Sequence, residues 1–522
     1  MRNFVVYVCV WMFIGALATA TAASAQEMTH LGTVATVEAA RIQVQIVDDA
    51  AKPGELRWFA VDKTTRVKRG GQSVAYADAK IIKGERIAVL MDMSSKTAML
   101  ASELRLAAVG QPQSAAPDPH AGHQMAGQKP MDMPMPASSG WTLMQDGVVY
   151  GLFNQQGGPR GGREFVVPNW WMGMVNKQAG RHQIGLNAMF SLDPATVGKD
   201  GYGEIFQVGE ALDGKPLIDR QHPHDFIMQL AGVWRVKVND KAAVTFAGGP
   251  AGEPTLGPVA FMHRASASGL VMAPLGHHTF DSTHISYGVV AAGLEFGPIT
   301  VEASLFNGRE PDQDRWDFDF GPLDSKAVRV WFRPNDAWEA QVSTGWLREP
   351  EELVPGDARR TTASLSWLQQ RDGGLRAVTF GYGVNDAHGE RRHGVFGEFS
   401  IEKGPNSLSS RVEFQQVETE VLLTGEIPHD EDHAAAPATV TAVTIGGARR
   451  LLTWRGFEGA AGAHVSFYGV PDILKPTHGS GPVSFQVFFR LRLPTGAMGR
   501  MWNMRMSQAH RMSSAHAGHE VR

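Results

Sequence analysis

The sequence contains one cysteine, Cys9, in 522 residues, and it lies in the apolar stretch that follows Met1-Arg2. A chain trimmed behind that stretch has neither disulfides nor thiolates, so any metal site must be built from His, Met, Asp and Glu. Charge of one sign is also lacking. The formal net charge is −4 and 20% of residues are charged, which in the absence of a basic block excludes nucleic acid as a partner. Beyond the N-terminus no run reaches the roughly 18 apolar residues that a membrane helix needs. A bilayer can then be crossed only by a closed barrel, in which every backbone group is satisfied by a neighbouring strand.

Residues 1–25 have the form of a secretory signal peptide: a positive start, the apolar run "FVVYVCVWMFIGALA", then "TATAASAQ" with Ala23-Ser24-Ala25 as a small-residue cleavage site. Residues 26–107 alternate polar and apolar positions in short runs ("GTVATVEAARIQVQIVDD", "GERIAVLMDM") broken by Gly, Asp and Pro. That period of two predicts a small antiparallel β domain. In pattern it resembles the OB-like barrels of exported bacterial proteins, including periplasmic copper chaperones.

Residues 108–140 are rich in Pro, Ala, Gly and Ser and cannot bury enough apolar area to order themselves, so a flexible linker is expected. The linker carries His120, His123, Met125, Met131, Met133 and Met135. Its His-Ala-Gly-His returns at 516–519, with His516 and His519 in a tail, 498–522, that is also expected to be flexible. Thioethers suit Cu(I) or Ag(I), and imidazole accommodates Cu(II) as well. Both segments therefore read as metal-collecting arms, on the same periplasmic side of a barrel with an even strand count.

From 141 to 497 strand-like segments follow one another. In "VSFQVFFRLRL", Val483, Phe485, Val487, Phe489, Leu491 and Leu493 share one face against Ser484, Gln486, Arg490 and Arg492. "GVFGEFSIE" sets Val395, Phe399 and Ile401 against Glu398, Ser400 and Glu402, and "AVRVWFR" sets Val328, Val330 and Phe332 against Arg329 and Arg333. Such runs predict a transmembrane antiparallel β-barrel of roughly 14–16 strands, many about 9–11 residues long. The fold class is all-β, a barrel preceded by a small OB-like domain. A soluble β-sandwich is the alternative, disfavoured by the charges on the second face of so many strands. The last strand ends near Leu493 with a tail beyond it, so a terminal aromatic assembly signal is missing and would have to be internal.

Chemistry concentrates between 204 and 284, which holds His222, His224, His263, His277, His278 and His284 with Asp219, Asp225, Glu253 and Asp281. In "QHPHD" the proline favours extended backbone, which puts His222 and His224 on one side with Asp225 as oxygen ligand or imidazole acceptor. His277 and His278 are adjacent, so on a strand they diverge. Asp281 and His284 meet that site only if their segment is a turn. The expected metal set is His222, His224, Asp225, His263, His277, His278, Asp281 and His284, with copper first and zinc or iron also suited. A loop at 194–225 is expected to fold inward as a plug. In "FNGREPDQDRWDFDFGPLDS" the acids suggest a calcium-like loop, but Arg309 and Arg315 among them favour internal ion pairing.

The blocks "GWTLMQDG", "NWWMGM", "RQHPHDF", "GPVAFMHR", "APLGHHTFDSTHIS" and "FNGREPD", spread over most of 141–330, resemble a group of uncharacterised bacterial outer-membrane β-barrel proteins that accompany copper and other heavy-metal efflux systems. The His/Met linker resembles the metal-binding N-terminal region of the copper-resistance protein B family, although the barrel lacks that family's blocks. The resemblance implies an outer-membrane barrel with its N-terminal domain in the periplasm, bound to metal ions, lipid and periplasmic components of an efflux system. Export or tolerance of copper is the expected function. One rival is a barrel-embedded metal-dependent hydrolase or oxidase with Glu253 or Asp281 as base; another is a passive porin with structural histidines.

Overall fold

The computed structural model describes residues 27–46, 56–69, 72–92, 100–106, 141–354, 356–371, 374–387, 389–426, 436–494 and 502–507. The signal peptide, the linker with His120, His123, Met125, Met131, Met133 and Met135, and the terminal His516 and His519 lie outside these residues. The chain divides into two units, 1–133 and 134–522.

In the first unit seven strands form one sheet. Inward positions such as Val34, Ile42, Val44, Phe59, Val89 and Leu104 make a shared core. Pairing is antiparallel except between Arg66–Arg69 and Ala101–Leu106. A bridge from Ala60 to Leu100 curls the sheet on itself.

The second unit is built on a seventeen-stranded antiparallel sheet that closes. Its first strand, Thr142–Gln155, pairs on one edge with the last, Val483–Arg492. On the other edge it pairs with Asn169–Ala179 and, further along, with Arg163–Val166. Those two segments share one stave, interrupted at Val167-Pro168, so the wall has sixteen staves. Proline has no N–H for the ladder, while its carbonyl still accepts from the Tyr150 N–H at 3.0 Å.

The wall shows the expected alternation with its polarity turned inside out. Along Ser325–Phe332 every second residue is buried: Val330 is 44% exposed and Arg329, next to it, 1%. Leu186, Leu230, Leu365, Val412, Ile445 and Phe485 stand outside on other staves, whereas Thr362, Thr379, Glu398, Ser400, Arg411 and Gln486 are buried within. An apolar belt of this extent around a polar interior is stable only against lipid. Exposed Trp234, Trp338, Trp346 and Trp454 fit interfacial positions. Among the described residues no helix is long and apolar enough to cross a membrane.

The lumen is filled. The principal plug is the connection 253–285; the segment 194–225 expected from sequence also folds inward, with Asn154 of the wall donating to the Gly203 carbonyl and Gln207 to the Pro274 carbonyl of the plug, each at 2.7 Å. In the plug the Ser266 hydroxyl donates to Thr379 at 2.7 Å, the Ser268 carbonyl accepts from Arg492 at 2.6 Å, and the Thr279 hydroxyl accepts from Gln415 at 2.9 Å. These partners lie along one arc of the wall, between Gly374–Ala387 and Val483–Arg492; on other staves the Thr255 hydroxyl donates to Ser304 at 2.9 Å and the Gly257 N–H to Ser343 at 2.9 Å. The 194–225 segment contributes a separate hairpin, Tyr202–Leu212 with Lys215–Gln221. The hairpin packs Ile205 and Phe206 on Leu275 of the plug and Val440 of the wall.

The tail also departs from expectation. Residues 502–507 run inside the barrel: the Arg505 guanidinium lies 3.7 Å from the centre of the Trp331 ring and donates to Glu339 at 3.0 Å, and the Ser507 hydroxyl donates to Glu302 at 2.6 Å. Buried wall carboxylates need such donors, and that need holds this part of the tail in place.

Candidate functional site

The plug, the hairpin and the loop 307–324 bring five imidazoles together. His277 and His278 lie on a short helix, His277–Phe280, and not on the strand that would have made them diverge. Successive helical residues are turned by about 100°, so both rings face His222, each with its centre 5.7 Å from the His222 ring. The His277 and His278 rings are 5.3 Å apart. His284 follows in a 3₁₀ turn, 5.3 Å from His277, and His224 lies 5.8 Å from His284. The "QHPHD" pair therefore enters the cluster at two places: His222 at the His277/His278 end, His224 beyond His284.

Every ring nitrogen Nδ1 in this file faces an acceptor. His224 Nδ1 donates to Asp193 at 2.9 Å, His277 Nδ1 to Asp281 at 2.8 Å and His284 Nδ1 to the Asp281 carbonyl at 2.8 Å. His278 Nδ1 reaches Glu310 at 3.3 Å, and His222 Nδ1 lies 3.2 Å from both the Pro223 carbonyl and Glu210. A carbonyl or carboxylate only accepts, so the proton sits on Nδ1 and Nε2 carries a bare lone pair. The Nε2 atoms of His222, His277 and His284 are buried and have no partner. Sequence reasoning missed the acceptors Asp193, Glu210 and Glu310. They are remote in sequence, and only the folded chain shows which acid meets which imidazole.

Burial holds the His222, His277 and His284 imidazoles below the ordinary range, with neighbouring positive groups adding to the effect. They are neutral at pH 7. His278 is also buried, but Glu310 and Glu210 raise it. Asp281 is buried yet held well below the usual carboxylate range by Arg264 and His277. Its Oδ2 accepts from Arg264 and from the Phe261 N–H at 2.9 Å each, which leaves it no freedom to act as a base. Asp225, pushed up to about 6 by burial against the pull of Arg315, keeps one oxygen without a partner. Arg315 spans Asp225 and Glu210, and Arg309 pairs with Asp324, so the acidic loop is knit by internal ion pairs.

His263 stands outside the file. Its ring meets Trp170 edge-on at 5.1 Å, and burial lowers it to about 4. With His224 it lines a cavity of about 70 Å³ between plug and wall. Glu253, the other candidate base, is engaged by Arg329 at 3.4 Å and the Met506 N–H at 3.4 Å. Among the described residues, only Asp312, Asp317 and Asp319 bring three His or carboxylate ligand atoms within 4.8 Å of one another. His222, His277 and His278 form a triangle of rings 5.3–5.7 Å apart, from which His284 and then His224 lead away.

A closed sixteen-stave antiparallel wall, apolar outside and polar inside, with loops packed into its lumen, defines an outer-membrane β-barrel protein of porin-like architecture. No family model and no curated protein matches the chain. Solved structures with a similar barrel include OprB of Pseudomonas putida (10% identity, TM-score 0.44, 68% of this chain and 94% of that one) and OmpT of Vibrio cholerae (9%, 0.39, 69% and 100%). The anion-selective porin of Comamonas acidovorans is another (10%, 0.39, 68% and 100%). Likeness at this level carries no function. The membrane-spanning barrel is read from the chain's own closed sheet and apolar exterior.

Proposed function

We propose that this barrel binds copper or a related metal ion in its lumen and moves it between the two sides of the outer membrane, in the service of metal tolerance. The observation that carries the reading is the set of three buried Nε2 lone pairs, on His222, His277 and His284, each fixed by an acceptor on the opposite ring nitrogen. An unused acceptor is cheaper to bury when an ion fills it, and Nδ1 anchoring is the arrangement that ligand imidazoles adopt. Two imidazoles sharing one ion have ring centres roughly 5–6 Å apart, which the neighbouring pairs match. A file of such pairs offers successive two-coordinate positions in place of one trap, a pattern suited to passage. The arms at 108–140 and 508–522 would collect ions at the periplasmic mouth from the efflux components that supply them.

The test is the metal content of the purified chain after exposure to equimolar Cu, Zn, Ni and Fe. A His222→Gln/His277→Gln/His284→Gln variant should lose at least one equivalent that survives removal of both arms. Retention of full metal content would leave a passive porin with structural histidines. Turnover of a hydrolysable or oxidisable substrate, abolished by His222→Ala, would favour an enzyme.

A further inference from the structure

A second feature of the lumen adjoins the imidazole file at His284. Porin-like interiors are polar, and most of this wall obeys, with Gln341, Ser343, Thr362, Ser400, Arg411 and Gln486 pointing inward. On four consecutive staves, Thr142–Gln155, Asn169–Ala179, His182–Phe190 and Ile227–Lys237, five of the buried positions carry methionine, Met144, Met172, Met174, Met189 and Met228, beside buried Asp146, Asn154, Asn176 and Asn187. Met504 of the inserted tail joins them in one buried cluster.

The cluster is not closed. Met172, Met189, Met228 and Met504 line a cavity of about 20 Å³, with His263 and His284 on its wall, enough for an ion or a single water. Among the described residues the bare Nε2 of His284 is the one imidazole or carboxylate atom at the cavity that is buried without a hydrogen-bond partner. Met506 lines the cavity too, over Gly252, where a Cβ would stand 2.5 Å from the Met506 sulfur. The wall residue has no side chain where the sulfur comes closest. The charged groups at the cavity, Glu253 and Arg505, are each paired: Glu253 with Arg329 and Arg505 with Glu339.

We propose that this cavity is a binding site for a soft monovalent metal ion, Cu(I) or Ag(I), held by thioether sulfurs of Met172, Met189, Met228 and Met504 together with the imidazole of His284. Thioethers are neutral, polarisable donors that bind soft ions and discriminate against hard ones. Neutral thioethers in a buried space offset the charge of a monovalent ion more readily than that of a divalent one. At His284 the imidazole file would thus open onto a site that favours the reduced, singly charged state of the metal. The site itself stands whether or not divalent ions use the file.

The experiment uses the full chain in detergent and Ag(I) as the probe, with silver affinity read by competition against a soluble thioether. Met172→Leu/Met189→Leu/Met228→Leu keeps volume and apolarity while removing three sulfurs. It should lose one silver equivalent and bind the remainder no tighter than the arms do, with the tightest event weakened roughly tenfold or more. Migration of unheated barrel on a denaturing gel, and Zn(II) loading of the file, should stay as in the parent. If the triple variant does not close, Met189→Leu alone should weaken silver binding by a smaller factor. Unchanged silver stoichiometry and affinity in a variant that closes would overturn the proposal. Loss of Zn(II) binding from the parent with silver binding intact would overturn the imidazole reading and leave this one standing.

Discussion

Arg264 of the plug and Glu398 of the wall, 134 residues apart in sequence, form a two-point ion pair: Nε to Oε2 at 2.9 Å and Nη2 to Oε1 at 2.9 Å. Both side chains are fully buried, and Glu398 also receives Arg411 at 3.0 Å and the Ser266 hydroxyl at 3.0 Å. Removing the carboxylate takes the ion-pair partner from Arg411 and leaves Arg264 with Asp281 alone. Such a loss costs about 3–5 kcal/mol, more than the pair contributes relative to an apolar replacement. Glu398→Ala should therefore loosen the plug, seen as higher single-channel conductance and as proteolytic cleavage within 253–285. Arg264→Met/Glu398→Met should restore part of the closure. Equal conductance of parent and Glu398→Ala would show that the pair does not hold the plug.

Acid should loosen the plug of the metal-free protein. A free imidazole takes its proton near 6.5, whereas His263 in place does so only near 4, because burial disfavours the imidazolium. Between these values the undocked plug binds more protons than the docked one. Its docking weakens by up to about 1.4 kcal/mol for each unit that pH falls from 6.5 toward 4, and is unaffected above 6.5. His222, His277 and His284 shift in the same direction. Conductance measured in planar bilayers should rise between pH 7 and pH 4.5, and His263→Gln should flatten that rise. A channel equally closed at both values would show that these imidazoles stay neutral without cost.

The outward face of the wall should reject charge while the neighbouring inward position requires it. Val330→Arg places a guanidinium in lipid and should destabilise the barrel by about 2–4 kcal/mol if Val330 lies near the bilayer midplane. Arg329→Leu instead leaves Glu302, which Arg329 meets at 2.9 Å, short of a donor inside. Urea titrations in lipid vesicles followed by tryptophan fluorescence give both values. Tolerance of Arg at 330 would sink the lipid-facing assignment of this stave.

Deleting residues 495–522 should leave a barrel that closes, because the seam ends at the Arg492–Val148 pair. The deletion removes Arg505 from Glu339 and Ser507 from Glu302. Closure shows as heat-dependent migration on a gel, and conductance should increase. Failure to close would place the missing assembly signal in the tail.

The wall was legible because its message is local. In Val483–Leu493 and in "AVRVWFR" the alternation alone told inside from outside, and the structure keeps both faces as read, apart from Leu493, which is buried beyond the strand end. The imidazoles were legible by residue type and their grouping was not. Whether His277 and His278 diverge depends on a four-residue helix, and a strand-rich context gave no sign of it. That 253–285 enters the lumen beside 194–225 was missed because contacts that fix it are made with staves more than a hundred residues downstream. Met172, Met189 and Met228 each look like ordinary apolar residues in sequence. The signal available was their parity: they fall where other strands place Gln, Ser or Arg, and that shows only once the wall's register is known.

The seam has a consequence for how the molecule comes together. It joins Gln486 to Asn154, whose side chains lie 3.1 Å apart although 332 residues separate them. Neighbouring staves elsewhere are joined mostly by short turns, so each can add to the one before at small loop-closure cost. The seam alone must tie the ends of the whole wall, and that search grows with the length of chain between them. Until the two edges meet, Thr142–Gln155 and Val483–Arg492 each present an unpaired backbone edge able to template another strand. The lifetime of those two open edges, more than the stability of any stave, sets how often copies of this chain join each other instead of themselves.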